Sequence, residues 1–411
     1  MITTLRTMAG LLALISLLCG CTRAPAAPAA TQQARWLGYF PSGFEDSRKR
    51  FRENCSRRTA SPDDFCRSFQ ITSPSDKDLT IDYGFFSRGN DRLVVIQSGI
   101  HGSEAIPGAA VQELVLEEYL TRLLDRHFDV LLIHALNPYG FKYLRRTDEF
   151  NVNLNRNFVV DAKDYRKPNP DYERLRSLFE PTGPVHNAGL SALGIQAAFI
   201  GHVIGDGFKA GPVTNGLDSG QYLHAKGMNY GGQAPAQQVW FLKNTLGPIM
   251  ARPYRKILFL DFHTGLGKNG ELAVIEGIHP PPALMGEFAK LVEHQDGIAI
   301  HASTDPGFFP TSGDVIDFVP GLVKPSDPRV LAVTMEYGTM GSDTFSQLRS
   351  ASRMILENQT HFYPCPQNDS APCTEIREDF RALFSPSDQD WRLKVMREAD
   401  LVFARLLDWK G

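Results

Sequence analysis

The chain has 411 residues, with 43 Lys+Arg against 46 Asp+Glu, a formal net charge of -3, and 42% hydrophobic and 22% charged residues. That length and composition suit one large α/β domain, or one domain with an extension. The nearly balanced charge leaves no basic face of the size that nucleic acid requires, so a nucleic-acid partner is excluded.

At the amino terminus a lone early Arg6 precedes an apolar stretch over 8–18 and then Leu18-Cys19-Gly20-Cys21. The stretch is too short to span a membrane and reads as a signal peptide over 1–21. Leu18 and Gly20 before Cys21 resemble a bacterial lipobox, which implies Cys21 as the lipidated first residue. The alternative is an ordinary secretory signal cleaved near the Ala-rich run. Residues 22–35 are Ala/Pro-rich and read as an extended tether, leaving 36–411 as the catalytic domain. A lipid anchor would place the protein in the bacterial cell envelope, at the outer membrane facing the periplasm where the host has one, since Thr22 and not Asp follows the cysteine. Four cysteines then remain, in two close pairs, Cys55 with Cys66 and Cys365 with Cys373. Three pairings are open; proximity favours the two local disulfides, which an oxidising compartment permits.

In chain order, apolar runs predict strands at 79–84, 93–100, 130–136, 257–263, 272–276 and 330–337, with a helix at about 105–125 where apolar residues recur at helical spacing. Strands separated by helical stretches predict an α/β fold, a mixed and mostly parallel central sheet with helices on both faces. The span 159–252 reads as helices and loops that shape a cleft.

Chemistry gathers at the strand ends. Residues 94–104 (VVIQSGIHGSE) run from a strand into His101 and Glu104, two metal-ligand types at ligand spacing. Residues 257–263 (ILFLDFH) end on His263, and 330–335 (VLAVTM) deliver Glu336. Functional groups in α/β sheets collect at the carboxyl ends of strands, so these ends are what a catalytic metal site needs, with three protein ligands and one open position. Asp261 lies on the same strand face as His263 and could orient a partner. His134 closes an apolar strand and reads as a core histidine.

Between these ends lies HALNPYGFKYLRRTDEFNVNLNRNF at 134–158. HGSE at 101–104, NPYG at 137–140, Arg146, LNRNF at 154–158, DFHTG at 261–265 and the late Glu336, in that order, resemble the zinc carboxypeptidase family, which includes deacylases of the succinylglutamate desuccinylase type. The resemblance covers roughly 79–341. It implies a zinc carboxypeptidase-like fold, Zn2+ held by His101, Glu104 and His263, Glu336 as general base, and Arg146 facing the oxyanion, with Arg145 as its substitute. Asn155 and Arg156 would clamp the free carboxylate of a peptide or acylamino-acid substrate, since a guanidinium offers a planar two-pronged donor.

The chain departs from that pattern twice. Asn153 stands where many members have aspartate, which bears on substrate charge preference. The carboxypeptidase tyrosine has no clear counterpart: 307–318 (GFFPTSGDVIDF) offers Phe308 and Phe309, and Tyr222, Tyr230 and Tyr337 are substitutes. The expected activity is zinc-dependent hydrolysis of an amide next to a free carboxylate, by a carboxypeptidase or by an N-acylamino-acid deacylase; a non-catalytic binding lipoprotein is the third reading. No Gly-x-Ser-x-Gly elbow is present, because Ile96 precedes Ser98 where glycine would stand.

Overall fold

The computed structural model describes residues 30–409 apart from 208, 293–297, 304–310, 325–326, 342 and 367–369. The expected signal peptide, Cys21 and tether residues 22–29 lie outside the described residues.

Eight strands form one sheet: β1 Phe65–Gln70, β2 Thr80–Phe86, β3 Arg92–Ser98, β4 Phe128–His134, β5 Lys256–Gly265, β6 Leu272–Glu276, β7 Ala299–Ala302 and β8 Val330–Gly338, in the order β1-β2-β4-β3-β5-β8-β6-β7. The central strands β4, β3, β5 and β8 run parallel. The outer pairings β1 with β2, β2 with β4 and β6 with β8 are antiparallel, and β6 with β7 is parallel. The central strands are continuous apolar runs because both of their faces are covered. Val94, Ile96, Leu258 and Leu260 point into one core, with the helices Ala105–Leu114 and Gln389–Leu406; Leu93, Val95, Ile257 and Phe259 point into the other, with Phe241 and Leu242. Strands β1 and β7 had no counterpart in the sequence reading. They are partly exposed edge strands without an apolar run, so the signal that marks the centre is missing from them.

The helix expected at 105–125 runs through Ala105–Leu114, a wide turn at Val115–Tyr119, and Leu120–Asp125. The tether assignment is corrected at its end. Residues 30–35 open the helix Ala30–Gly38, because buried Trp36 anchors that segment and donates its indole N–H to Glu118 Oε1 (3.2 Å). Beyond the carboxyl ends of the strands, the helices Ala188–Gly205, Gly211–Asp218, Thr344–Phe362 and Ala371–Phe384 form a wall, as the helix-and-loop reading of 159–252 anticipated in part. The 18-residue helix Ala188–Gly205 has a mean hydropathy of 1.5 and meets the length and composition of a membrane span. It packs beside Ala351 and Ile355 through Phe199 and leaves Leu190, Leu193, Ile200 and Ile204 exposed.

Both local disulfides form, Cys55–Cys66 and Cys365–Cys373. The first ties the helix Phe44–Ser56 to edge strand β1. A cross-link closing a loop of this size restricts the unfolded chain by about 3 kcal/mol. Replacing Cys55 and Cys66 together by Ala is expected to lower the unfolding free energy by about that amount in a denaturant titration; an unchanged midpoint would show that the bridge contributes nothing to the fold.

Candidate metal centre and active site

Three elements bring the site together. After β3 the chain turns through Gly99, in the left-handed region (φ 67°), and His101 stands just before the short turn Gly102–Glu104 that leads into the helix from Ala105. Gly102 is required by close approach: a Cβ there would lie 1.9 Å from the carbonyl carbon of Gly140, in the NPYG segment. From β5 comes His263, and from the neighbouring strand β8 comes Glu336, paired with His263 in register.

His101, Glu104 and His263 present ligand atoms that all lie within 4.8 Å of one another, a group that could hold a metal ion. The two oxygens of Glu104 face the two imidazoles, with Oε1 2.9 Å from His101 Nδ1 and Oε2 3.1 Å from His263 Nδ1. Each ring is fixed from behind. His101 Nε2 lies 3.0 Å from Asn153 Oδ1, and His263 Nε2 lies 2.8 Å from Asp261 Oδ2; Asp261 in turn accepts a hydrogen bond from Gln97 Nε2 (2.9 Å). An oxygen behind Nε2 selects the tautomer that leaves Nδ1 as a lone-pair donor, the arrangement found around ligating histidines. The donor set therefore fits a metal: two imidazole nitrogens and a carboxylate converge, and His101 Nδ1 has no hydrogen bond of good geometry despite its burial.

Burial sets the electrostatics. His101 and Glu104 are 2% exposed, His263 5% and Glu336 8%. Taking such ions out of water costs several kcal/mol each unless they are paired. Burial, followed by the Arg146 guanidinium, lowers the His101 pKa to about 3. Burial opposes charge on His263, but Asp261 and Glu104 outweigh it and hold that pKa well above its ordinary value. Burial would raise the Glu104 pKa, yet the two histidines bring it well below the usual range. Burial and then the Glu104 carboxylate push Glu336 up to about 7. Glu336 Oε1 accepts the Leu266 N–H (2.8 Å). A carboxylate with a raised pKa is suited to exchange protons near neutrality.

These groups line one cavity of about 360 Å3 together with Arg146, Asn155 and Arg156. Arg146 donates from Nη1 to Glu104 Oε1 (2.7 Å) and lies 5.4 Å from the Phe384 ring centroid. Arg156 is buried; its Nε donates to the Asp218 carbonyl (3.0 Å) and its Nη1 to the Asn155 carbonyl (2.8 Å). Asn155 spans Asp314 and the Val315 N–H. Gly220, at φ 81°, passes so close to Arg156 that a Cβ would sit 2.8 Å from its Cδ.

Several sequence readings change. Arg145 is not in the cavity lining; its guanidinium binds Glu357 (2.9 Å), Asn151 and Asn358, so it is removed from the substrate-binding set. Asn153, outside the cavity lining, bears on the orientation of His101 through its Oδ1. Tyr222 is buried with its hydroxyl donating to the Arg156 carbonyl (2.9 Å), and Tyr230 and Tyr337 also stand outside the lining, so no tyrosine lines the cavity among the described residues. Phe308 and Phe309 lie outside the described residues. His134 is a core histidine, held between Ser47 and Gln112 and stacked on Phe51. Missed were Asp218, Asp314 and Asp317, which line the cavity from segments without a motif. Burial raises Asp218 to about 6 against the pull of Arg156.

A family model matches residues 40–398. The chain belongs to that family, described as "Protein of unknown function (DUF2817)". No sequence among the curated proteins matches the chain. Among solved structures the chain is similar to carboxypeptidase A from Helicoverpa armigera, at 13% identity over 93% of this chain and 81% of that one, TM-score 0.41. It is similar to bovine thrombin-activatable fibrinolysis inhibitor in complex with tick carboxypeptidase inhibitor, at 13% identity over 85% and 97%, TM-score 0.44. A third is succinylglutamate desuccinylase/aspartoacylase from Rhodobacter sphaeroides, at 12% identity over 72% and 65%, TM-score 0.37.

The support behind His263 is open to a direct check. Asp261→Ala removes the acceptor that fixes its tautomer, and divalent-metal affinity measured by chelator competition is expected to fall about 10- to 100-fold. Unchanged affinity would show that Asp261 serves only the strand.

Proposed function

We propose that this protein is a zinc-dependent hydrolase that cleaves an amide bond next to a free carboxylate, a metallocarboxypeptidase acting on peptides in the first place. One observation carries the reading: the Nδ1 atoms of two back-anchored histidines and the Glu104 carboxylate converge at a cavity that also holds a separate carboxylate, Glu336, and two guanidinium groups. A zinc ion held by His101, Glu104 and His263 would supply a Lewis acid that polarises the scissile carbonyl and acidifies a water.

The chain's own residues have the remaining tasks. Glu336, oriented through Oε1 by the Leu266 N–H, takes a proton from the attacking water at Oε2 and returns it to the leaving amine. Arg146 sets its positive charge where the oxyanion develops, and its bond to Glu104 fixes its reach. Arg156, immobilised by two backbone carbonyls, meets the substrate carboxylate with Asn155 beside it.

The second reading, an N-acylamino-acid deacylase, is favoured by the cavity's lack of a tyrosine among the described residues. The amino-terminal sequence adds that the enzyme is a lipid-anchored envelope protein, attached through Cys21, which would bring peptides of that compartment within reach.

Glu336→Gln is expected to reduce kcat by about 10^2- to 10^4-fold while one metal ion per chain is retained, because a base is lost and no ligand is. Loss of metal in that variant would make Glu336 a ligand. His263→Ala, read by metal analysis of the purified protein, is expected to lose its ion; full retention would remove His263 from the centre.

A further inference from the structure

The cavity has two unlike sides. On the sheet side are Asn155, Arg156, Thr311, Asp314 and Thr334, polar groups from the LNRNF segment, the loop before Val315 and strand β8. On the helix side six apolar residues contribute, Phe199 and Val203 from the helix Ala188–Gly205, Val213 and Leu217 from Gly211–Asp218, and Leu348 and Met354 from Thr344–Phe362, with the polar Thr214, Asp218, Thr344, Gln347 and Ser350 of the latter two helices between them. These six pack as one cluster that is separate from the two cores of the sheet. They join the catalytic groups through Phe384: Met354 packs against the Phe380, Leu383 and Phe384 cluster, and the Phe384 ring lies beside Arg146.

An amide with its carboxylate at Arg156 and its carbonyl at the His101, Glu104 and His263 trio has one group left to place, the acyl side. Arg146, which in that placement would face the carbonyl oxygen, lies against the Phe384 ring, and through it the apolar cluster. The Ala188–Gly205 helix carries no charged residue other than a titratable histidine, His202, so nothing on it would meet a charged or strongly polar acyl group. We infer that the substrate is an amide whose acyl side is an alkyl chain, an N-(fatty acyl) amino acid of medium chain length, received by Phe199, Val203, Val213, Leu217, Leu348 and Met354. The inference rests on the hydrolase reading above and selects within it. Burial of a methylene in such a lining is worth about a three- to fourfold gain in affinity.

The test uses N-acetyl-, N-hexanoyl- and N-decanoyl-alanine below their aggregation concentrations, with binding measured by calorimetry and hydrolysis by alanine release, on the zinc-loaded full chain. Affinity and kcat/KM are both expected to climb with chain length, by about three- to fourfold per methylene until the apolar side is filled. In Val203→Asp and Leu348→Asp, both at half-buried positions that tolerate a polar group, the decanoyl-to-acetyl ratio in binding and in kcat/KM is expected to collapse towards unity, with thermal unfolding of each variant confirming an intact fold. Hydrolysis that is flat or falling with chain length, with equally flat binding, would overturn the alkyl-chain inference and leave the hydrolase reading standing. Binding that climbs with chain length and collapses in the variants, without alanine release, would uphold the alkyl-chain site and contradict the hydrolase.

Discussion

The arrangement of the site depends on one buried carboxylate. Glu104 sits between two imidazoles and a guanidinium, and a carboxylate this far from water is tolerable only with such partners. Each of those partners is itself tied back, His101 to Asn153, His263 to Asp261 and through it to Gln97. The chain has therefore fixed Nδ1 of each ring against one oxygen of Glu104, with ligand atoms of the three residues within 4.8 Å of one another. Backbone reinforces this, since the Thr264 N–H donates to Glu104 Oε2 (3.1 Å).

The sheet makes that convergence reproducible. Parallel neighbours β5 and β8 set His263 against Glu336 in register, and the turn after β3 passes against the NPYG backbone so closely that residue 102 has no room for a side chain. His101 and Glu104 follow β3, His263 lies on β5 and Glu336 on β8, so three adjacent strands deliver the four groups to one cavity. Glu336 is buried beside the Glu104 charge, which accounts for its raised pKa and for its suitability to carry a proton near neutral pH.

Much of this was legible in the sequence, for physical reasons. Central strands are buried on both faces, so β3, β5 and β8 read as uninterrupted apolar runs, and polar residues at their ends, His101, His263 and Glu336, stood out against them. Edge strands β1 and β7 carry no such contrast and were not seen. Arg145 and Arg146 are adjacent and chemically identical; only the fold turns one to Glu357 and the other to Glu104. The contact of Asn153 with His101 was not legible, because the two lie 52 positions apart and only the fold brings that side chain back to the imidazole. The reading of 159–252 as helices and loops around a cleft covered Ala188–Gly205 but not which of its residues line the cavity, nor the part taken by Thr344–Phe362, since an apolar helix carries no information about which cavity its residues line.

Zinc-edge X-ray absorption on the purified protein, together with metal analysis, tests the central claim most directly. The account predicts about one zinc per chain with two imidazole nitrogens, a carboxylate oxygen and a water-derived oxygen as ligands. A protein that takes up no zinc, or a first shell containing sulfur or lacking histidine, would contradict it.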